Sequence, residues 1–153
     1  MPSATLAADV VMLGRQAARV FRLTRRKLLV MAKEPRAGTR EDGCCWRRGA
    51  VGSKFPMIEL RVHRSHRPRQ PLKRSTVMAA LAHELAHLKI DAHNAQHGEL
   101  TRKIAGWLRE QGQPVSHVLH SNTGSVFLPA HKKSQRARSR TFRRAWQRPA
   151  ARS

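Results

Sequence analysis

The sequence predicts an α+β fold: a short antiparallel sheet packed on two consecutive helices, with another helix at the N-terminus and a basic tail at the C-terminus. Three observations predict it. Apolar residues recur at three- and four-residue intervals over three separate stretches. Between the first and second of these, Met57–His63 alternates as a strand does. From His131 to Ser153 there is no acidic residue at all.

The expected division is an N-terminal helix over 1–33, a central domain over 34–130 and a disordered basic tail over 131–153. In order along the chain, Leu6, Val10, Leu13, Ala17, Val20 and Phe21 set a helical period from about Thr5 to Met31. From Glu34 to Lys54 the period dissolves into Pro, Gly, Cys and charge, which reads as a loop. Met57–His63 places Ile58, Leu60 and Val62 on one face and Glu59, Arg61 and His63 on the other, as in a half-buried strand. Arg64 to Lys73 reads as a basic, Pro-punctuated connection. Ser75 is the expected N-cap of a helix running to about Ile90, with Met78, Leu81, Leu85 and Leu88 as its core stripe. A second helix is expected over Asn94–Gln111, facing inward through Leu100, Ile104, Trp107 and Leu108 and ending near Gly112. Val115–His120 and Ser125–Leu128 flank a turn-rich tetrapeptide and suggest a hairpin.

The charge balance is lopsided, with 31 Lys and Arg against 9 Asp and Glu, for a net charge of +22. A polyanionic partner is the expectation, because each neutralised phosphate releases counterions; an Arg-rich composition is the plainer alternative. In the tail, Lys132, Lys133, Arg136, Arg138, Arg140, Arg143 and Arg144 are the candidate nucleic-acid contacts. Phe142 and Trp146 stand among them, able to stack on bases or to form the docking face of a short helix. Cys44 and Cys45 are adjacent and the only cysteines, so no disulfide framework is expected. Met1–Val11 lacks the basic and apolar blocks of a signal peptide, and Lys27–Met31 is too short to span a bilayer. These features fit a soluble, cytoplasmic protein with no membrane partner.

Chemistry concentrates in Ala82-His83-Glu84-Leu85-Ala86-His87-Leu88. Residues four apart lie on one helix face, so His83 and His87 can present imidazole nitrogens to one cation. Catalytic zinc takes three protein ligands and keeps one position for water. Glu84, at the rim of that face, can take a proton from zinc-bound water and pass it to a leaving amine. The plain alternative is a pair of surface histidines. The third ligand must come from beyond the break at Asp91-Ala92: His93 ranks first, His97 second and Glu99 third. A carbonyl-polarising group could be His117, His120 or an arginine.

The run His83-Glu84-Leu85-Ala86-His87-Leu88-Lys89-Ile90-Asp91-Ala92-His93 resembles the active-site stretch of the YgjP-like, WLM and SprT-like zinc metallopeptidases. The resemblance covers about Met57 to Gln111 and implies a small zincin-like domain. It also implies Zn2+ on His83, His87 and His93, with Glu84 as general base. Asn94 matches the small polar residue that follows the third His in the YgjP-like and WLM groups, whereas His97 stands where an aromatic is expected. That departure keeps His97 as an alternative ligand. A metzincin reading fits less well, since Ile90 replaces the turn glycine and no methionine follows His93.

Two functions follow. The first is a zinc metallopeptidase acting on proteins or peptides, nucleic-acid-associated proteins among them, as in the SprT-like and WLM groups. The second is a nucleic-acid-binding protein whose zinc site is structural or vestigial. Hydrolysis of a non-peptide bond is a third possibility that the same metal chemistry would serve.

Overall fold

Residues 2–32, 43–49, 52–64, 67–116, 118–121 and 124–127 are described by a computed structural model. Helix α1 (Pro2–Val20) buries Leu6, Val10, Leu13 and Ala17 of the expected stripe, whereas Val20 at its end is exposed and Phe21 half-buried. It stops eleven residues short of the expected end at Met31. Leu23 N–H donates to Ala18 O at 2.9 Å and Arg22 N–H to Arg19 O at 3.2 Å, while Arg22 takes a φ of 50°. That is a Schellman-type stop with Arg in the position glycine usually fills. The residues expected to prolong the helix instead form strand β1 (Leu29–Met31), in which the β-branched Val30 is buried and Met31 exposed. Gly14 lets α1 lie close on this strand, since a Cβ there would stand 3.0 Å from Val30 Cγ2.

Strand β3 (Met57–Leu60) is the centre of a three-stranded sheet ordered β1-β3-β2, with β2 spanning Gly43–Trp46. The β1 pairing is parallel, Val30 opposite Ile58, and the β2 pairing antiparallel, Cys45 opposite Ile58. The sheet is therefore mixed rather than wholly antiparallel. Two expectations are corrected here. Part of the expected loop is β2, four residues too short to show alternation, whose hydrogen bonds come from β3. The expected half-buried strand is buried on both faces, Glu59 and Arg61 included at 6% and 3% exposure, because it is central. The expected basic connection also pairs with itself, as β4 (His63–Arg64) against β5 (Arg67–Pro71). Among the described residues this ribbon pairs with no third strand, and Pro71 falls at the end of β5, where a missing N–H is tolerated.

Helix α2 (Arg74–His87) follows, its N-cap being Lys73, without a side-chain cap; Ser75 falls inside its first turn rather than at the cap. Arg74 pairs with Asp9 of α1. Helix α3 (Ala95–Glu110) begins where expected, the Asn94 side chain accepting from His97 N–H at 2.9 Å. It ends on Gly112, whose φ of 80° closes a second Schellman-type stop through Gln113 N–H to Leu108 O. The expected hairpin is present as β6 (Val118–Ser121) and β7 (Gly124–Phe127), with Ser121 opposite Gly124. Leu128, the tail residues 131–153 and His117 lie outside the described residues.

One core joins these elements: Val10 and Leu13 of α1, Ile58 and Leu60 of β3, Met78, Leu81 and Leu85 of α2, and Ile104 and Leu108 of α3. Each such side chain contributes about 1.5–3 kcal/mol by leaving water. This core holds α2 by its apolar surroundings and fixes the direction in which His83, Glu84 and His87 project.

Candidate metal centre

His83 and His87 stand one turn apart at the C-terminal end of α2. The chain leaves the helix through Lys89 N–H to Ala86 O at 3.1 Å and Ile90 N–H to Ala86 O at 3.0 Å, then turns over Asp91-Ala92. That turn returns His93 to the helix end just before Asn94 caps α3. The three Nε2 atoms meet: His83 to His87 at 3.2 Å, His83 to His93 at 3.1 Å, and His87 to His93 at 3.0 Å.

A tetrahedral zinc bound at about 2.0–2.1 Å holds its ligand nitrogens about 3.3 Å apart, close to this triangle. The donor chemistry fits as well. A carbonyl only accepts, so the 3.0 Å contact to Ile90 O assigns the proton of His87 to Nδ1 and leaves the Nε2 lone pair directed at the triangle. Burial, with smaller contributions from His87, His97 and His93, pulls the His83 imidazole down to about 2. Burial likewise lowers His87, against the opposing pull of the Ile90 carbonyl. Both rings are thus neutral near pH 7, the form that binds metal. Among the described residues, His83, His87 and His93 form a group able to hold a metal ion. Exposure rises from buried His83 through half-buried His87 to exposed His93, so the triangle opens to solvent on the His93 side.

His97 lies beneath the triangle rather than at its apex. It is fully buried, its Nε2 is 3.1 Å from His83 O, and its ring is 4.1 Å from that of His87 at 36°. As the carbonyl can only accept, this nitrogen donates, tying the first turn of α3 to the backbone of α2. Glu99 is exposed and pairs with Lys103 at 3.1 Å.

Glu84 is buried at 8% exposure and extends towards Gly43 at the start of β2, where an added Cβ would lie 2.7 Å from its Cγ. Cys45, two residues along the same face of the strand, has its thiol pushed up to about 12, by burial first and then by the Glu84 carboxylate. No disulfide joins Cys44 and Cys45. Arg47 donates to Lys89 O at 3.1 Å, linking the end of β2 to the turn that carries His93. Gly43, Cys45 and Arg47 had no signal in the sequence beyond a glycine and two cysteines amid irregular composition.

A mixed three-stranded sheet, a helix carrying His-Glu-x-x-His and a third histidine after a sharp turn define a small zincin-like α+β domain. Among solved structures, a mutant of Wss1 from Saccharomyces cerevisiae has a similar fold. The TM-score is 0.54 at 18% identity, covering 72% of this chain and 82% of that chain. At that identity the likeness is one of fold. No protein-family profile matches the chain, and no curated protein does. Among the described residues, no helix is long and apolar enough to cross a membrane.

Proposed function

We propose that this chain is a zinc-dependent metallopeptidase of the WLM and SprT-like kind, with His83, His87 and His93 as ligands and Glu84 as general base. The observation that carries the reading is the triangle of Nε2 atoms at 3.0–3.2 Å on the helix that also bears Glu84. When bound, zinc supplies Lewis acidity, lowering the pKa of water and polarising the scissile carbonyl.

The chain's own residues do the rest. Glu84 accepts the proton of the attacking water and returns it to the leaving amine, so its carboxylate serves both halves of the reaction. His97 holds His83 and His87 in place from below. Strand β2 ends the sheet order, so among the described residues its outer edge pairs with no strand. An extended peptide pairing there would run beside Gly43 and come within reach of Glu84.

A nucleic-acid-associated substrate is the finer proposal. Arg15, Arg19, Arg26 and Lys27, with Thr24, line a recess of about 200 Å³ between α1 and the segment leading into β1. None of these cations has a carboxylate partner among the described residues. The recess adjoins β1, at the opposite end of the sheet order from β2, so a bound phosphate backbone would leave the peptide edge open. It favours the second reading equally, a nucleic-acid-binding protein with a structural zinc.

Zinc quantification with casein cleavage separates the two. Wild type is expected to hold zinc and cleave. His93→Ala is expected to lose most of its zinc, and Glu84→Gln to keep zinc and retain only a small residual cleavage rate. Zinc undiminished in His93→Ala would remove this residue from the ligand set.

A further inference from the structure

Glu84 owes its placement to a methyl group that is missing across the sheet. Gly43 opens β2 opposite Leu60, and it is not among the glycines with positive φ, so no left-handed turn requires it. Space does. A Cβ at this position would stand 2.7 Å from Glu84 Cγ, 2.9 Å from Leu60 Cδ2 and 3.1 Å from Glu84 Oε1. Carbon atoms rest at about 3.5–4.0 Å, so both carbon contacts are far inside repulsion.

Neither neighbour yields easily. Leu60 has no exposed surface, and Glu84 belongs to a run of α2 buried from Val77 to Ala86. The collision is at Cγ, near the root of the side chain. Relief therefore needs a new rotamer, which swings the carboxylate away from its present place. Other glycines differ. Gly14 would meet only the aliphatic ends of Val30 and Leu81, and Gly106 nothing within 4 Å.

We infer that Gly43 is a positioning residue for the general base: the bare first residue of β2 sets where the Glu84 carboxylate stands beside the histidine triangle. The inference rests on the peptidase reading for its kinetic test and on geometry alone for its structural test. The three nearest atoms to the absent Cβ belong to Glu84 and Leu60, none to a histidine, so metal binding should not depend on it.

The test uses the full chain as wild type, Gly43→Ala, Glu84→Gln and the double variant, with zinc content, kcat and KM on a casein-derived peptide, and crystal structures of the zinc-loaded proteins. Gly43→Ala is expected to keep its zinc and KM while kcat falls about a hundredfold, the effect of misplacing a reacting group by about 1 Å. Added to Glu84→Gln, it is expected to cause no further loss, which a general weakening of the fold would not reproduce. A kcat within about twofold of wild type, or an equal fall in both backgrounds, would overturn the inference. Should Gly43→Ala not fold, Gly43→Ala/Leu60→Val eases the collision with β3 and leaves the one with Glu84. It is expected to fold and stay slow. Full recovery of kcat in this variant would show that Gly43 serves the sheet and not Glu84. An inactive wild type would sink the peptidase reading instead. The crystal structures would then decide, an unmoved Glu84 carboxylate in Gly43→Ala overturning the inference.

Discussion

Helices α2 and α3 pack against each other yet live in different surroundings. Every residue of α2 from Val77 to Ala86 is buried, whereas α3 alternates buried Ile104, Ala105 and Leu108 with exposed Arg102, Lys103 and Arg109. An amphipathic helix such as α3 is specified by one face, and its outer face is free to vary. A helix enclosed all round has no free face. Imidazoles and a carboxylate within it cost desolvation that only specific partners offset. His83 and Glu84 stand inside such a run, and that placement sets α2 apart from α3. Helix α3 packs on it through Ile104 and Leu108 and supports the site through His97, which reaches across to the carbonyl of His83.

Changes at groups packed against α2 should therefore have larger effects than changes on the outside of α3. The largest effect is expected at Cys45. With its thiol raised from 9.0 to about 12, metal-free folded protein at pH 8 should alkylate Cys45 about a thousandfold more slowly than the unfolded chain. Mass spectrometry of iodoacetamide-treated samples reads this directly. The sign for stability follows from the same shift. The folded state keeps its proton where the unfolded state has lost it, so this contribution is complete below pH 9 and declines as pH rises from 9 towards 12. Urea unfolding of the metal-free protein across that range should show the midpoint falling; a midpoint that rises would contradict the assignment.

Next comes His97. His97→Ala removes both the bond to His83 O and the ring under His87, and is expected to weaken zinc binding about 10- to 100-fold, as loss of an outer partner does at other metal sites. His97→Phe keeps a ring and should recover part of that loss. Competition titration with a chelator measures both, and equal affinity in wild type and His97→Ala would remove His97 from the support of the site. The smallest effect belongs to Gly106 on α3, where an added methyl meets nothing. Gly106→Ala should stabilise the fold by up to about 1 kcal/mol through helix propensity and leave zinc content unchanged. A loss of stability would mean that this face of α3 is packed.

The same contrast explains what could be read from the sequence. Helix α3 announced both ends, because Asn94 caps it with a side chain and Gly112 closes it with a positive φ. Helix α2 was legible by its motif and not by its cap, Lys73 supplying no side-chain bond. The end of α1 was not legible, since Arg22 occupies the left-handed position with nothing in its chemistry to mark it. Strands β1 and β2 were missed for a related reason. Three and four residues do not establish a period, and what makes them strands is pairing with β3, which is distant in sequence. At the site, the i, i+4 spacing showed His83 and His87, and family resemblance singled out His93. Gly43 and Arg47 depend on β2 being a strand, so they became visible only with the fold.

The most direct test of the account is to measure zinc per chain and peptide cleavage side by side for wild type and Glu84→Gln. About one zinc per chain is expected in both, with Glu84→Gln cleaving only at a small residual rate. A wild type that binds no zinc, or a Glu84→Gln variant that cleaves as fast as wild type, would contradict it.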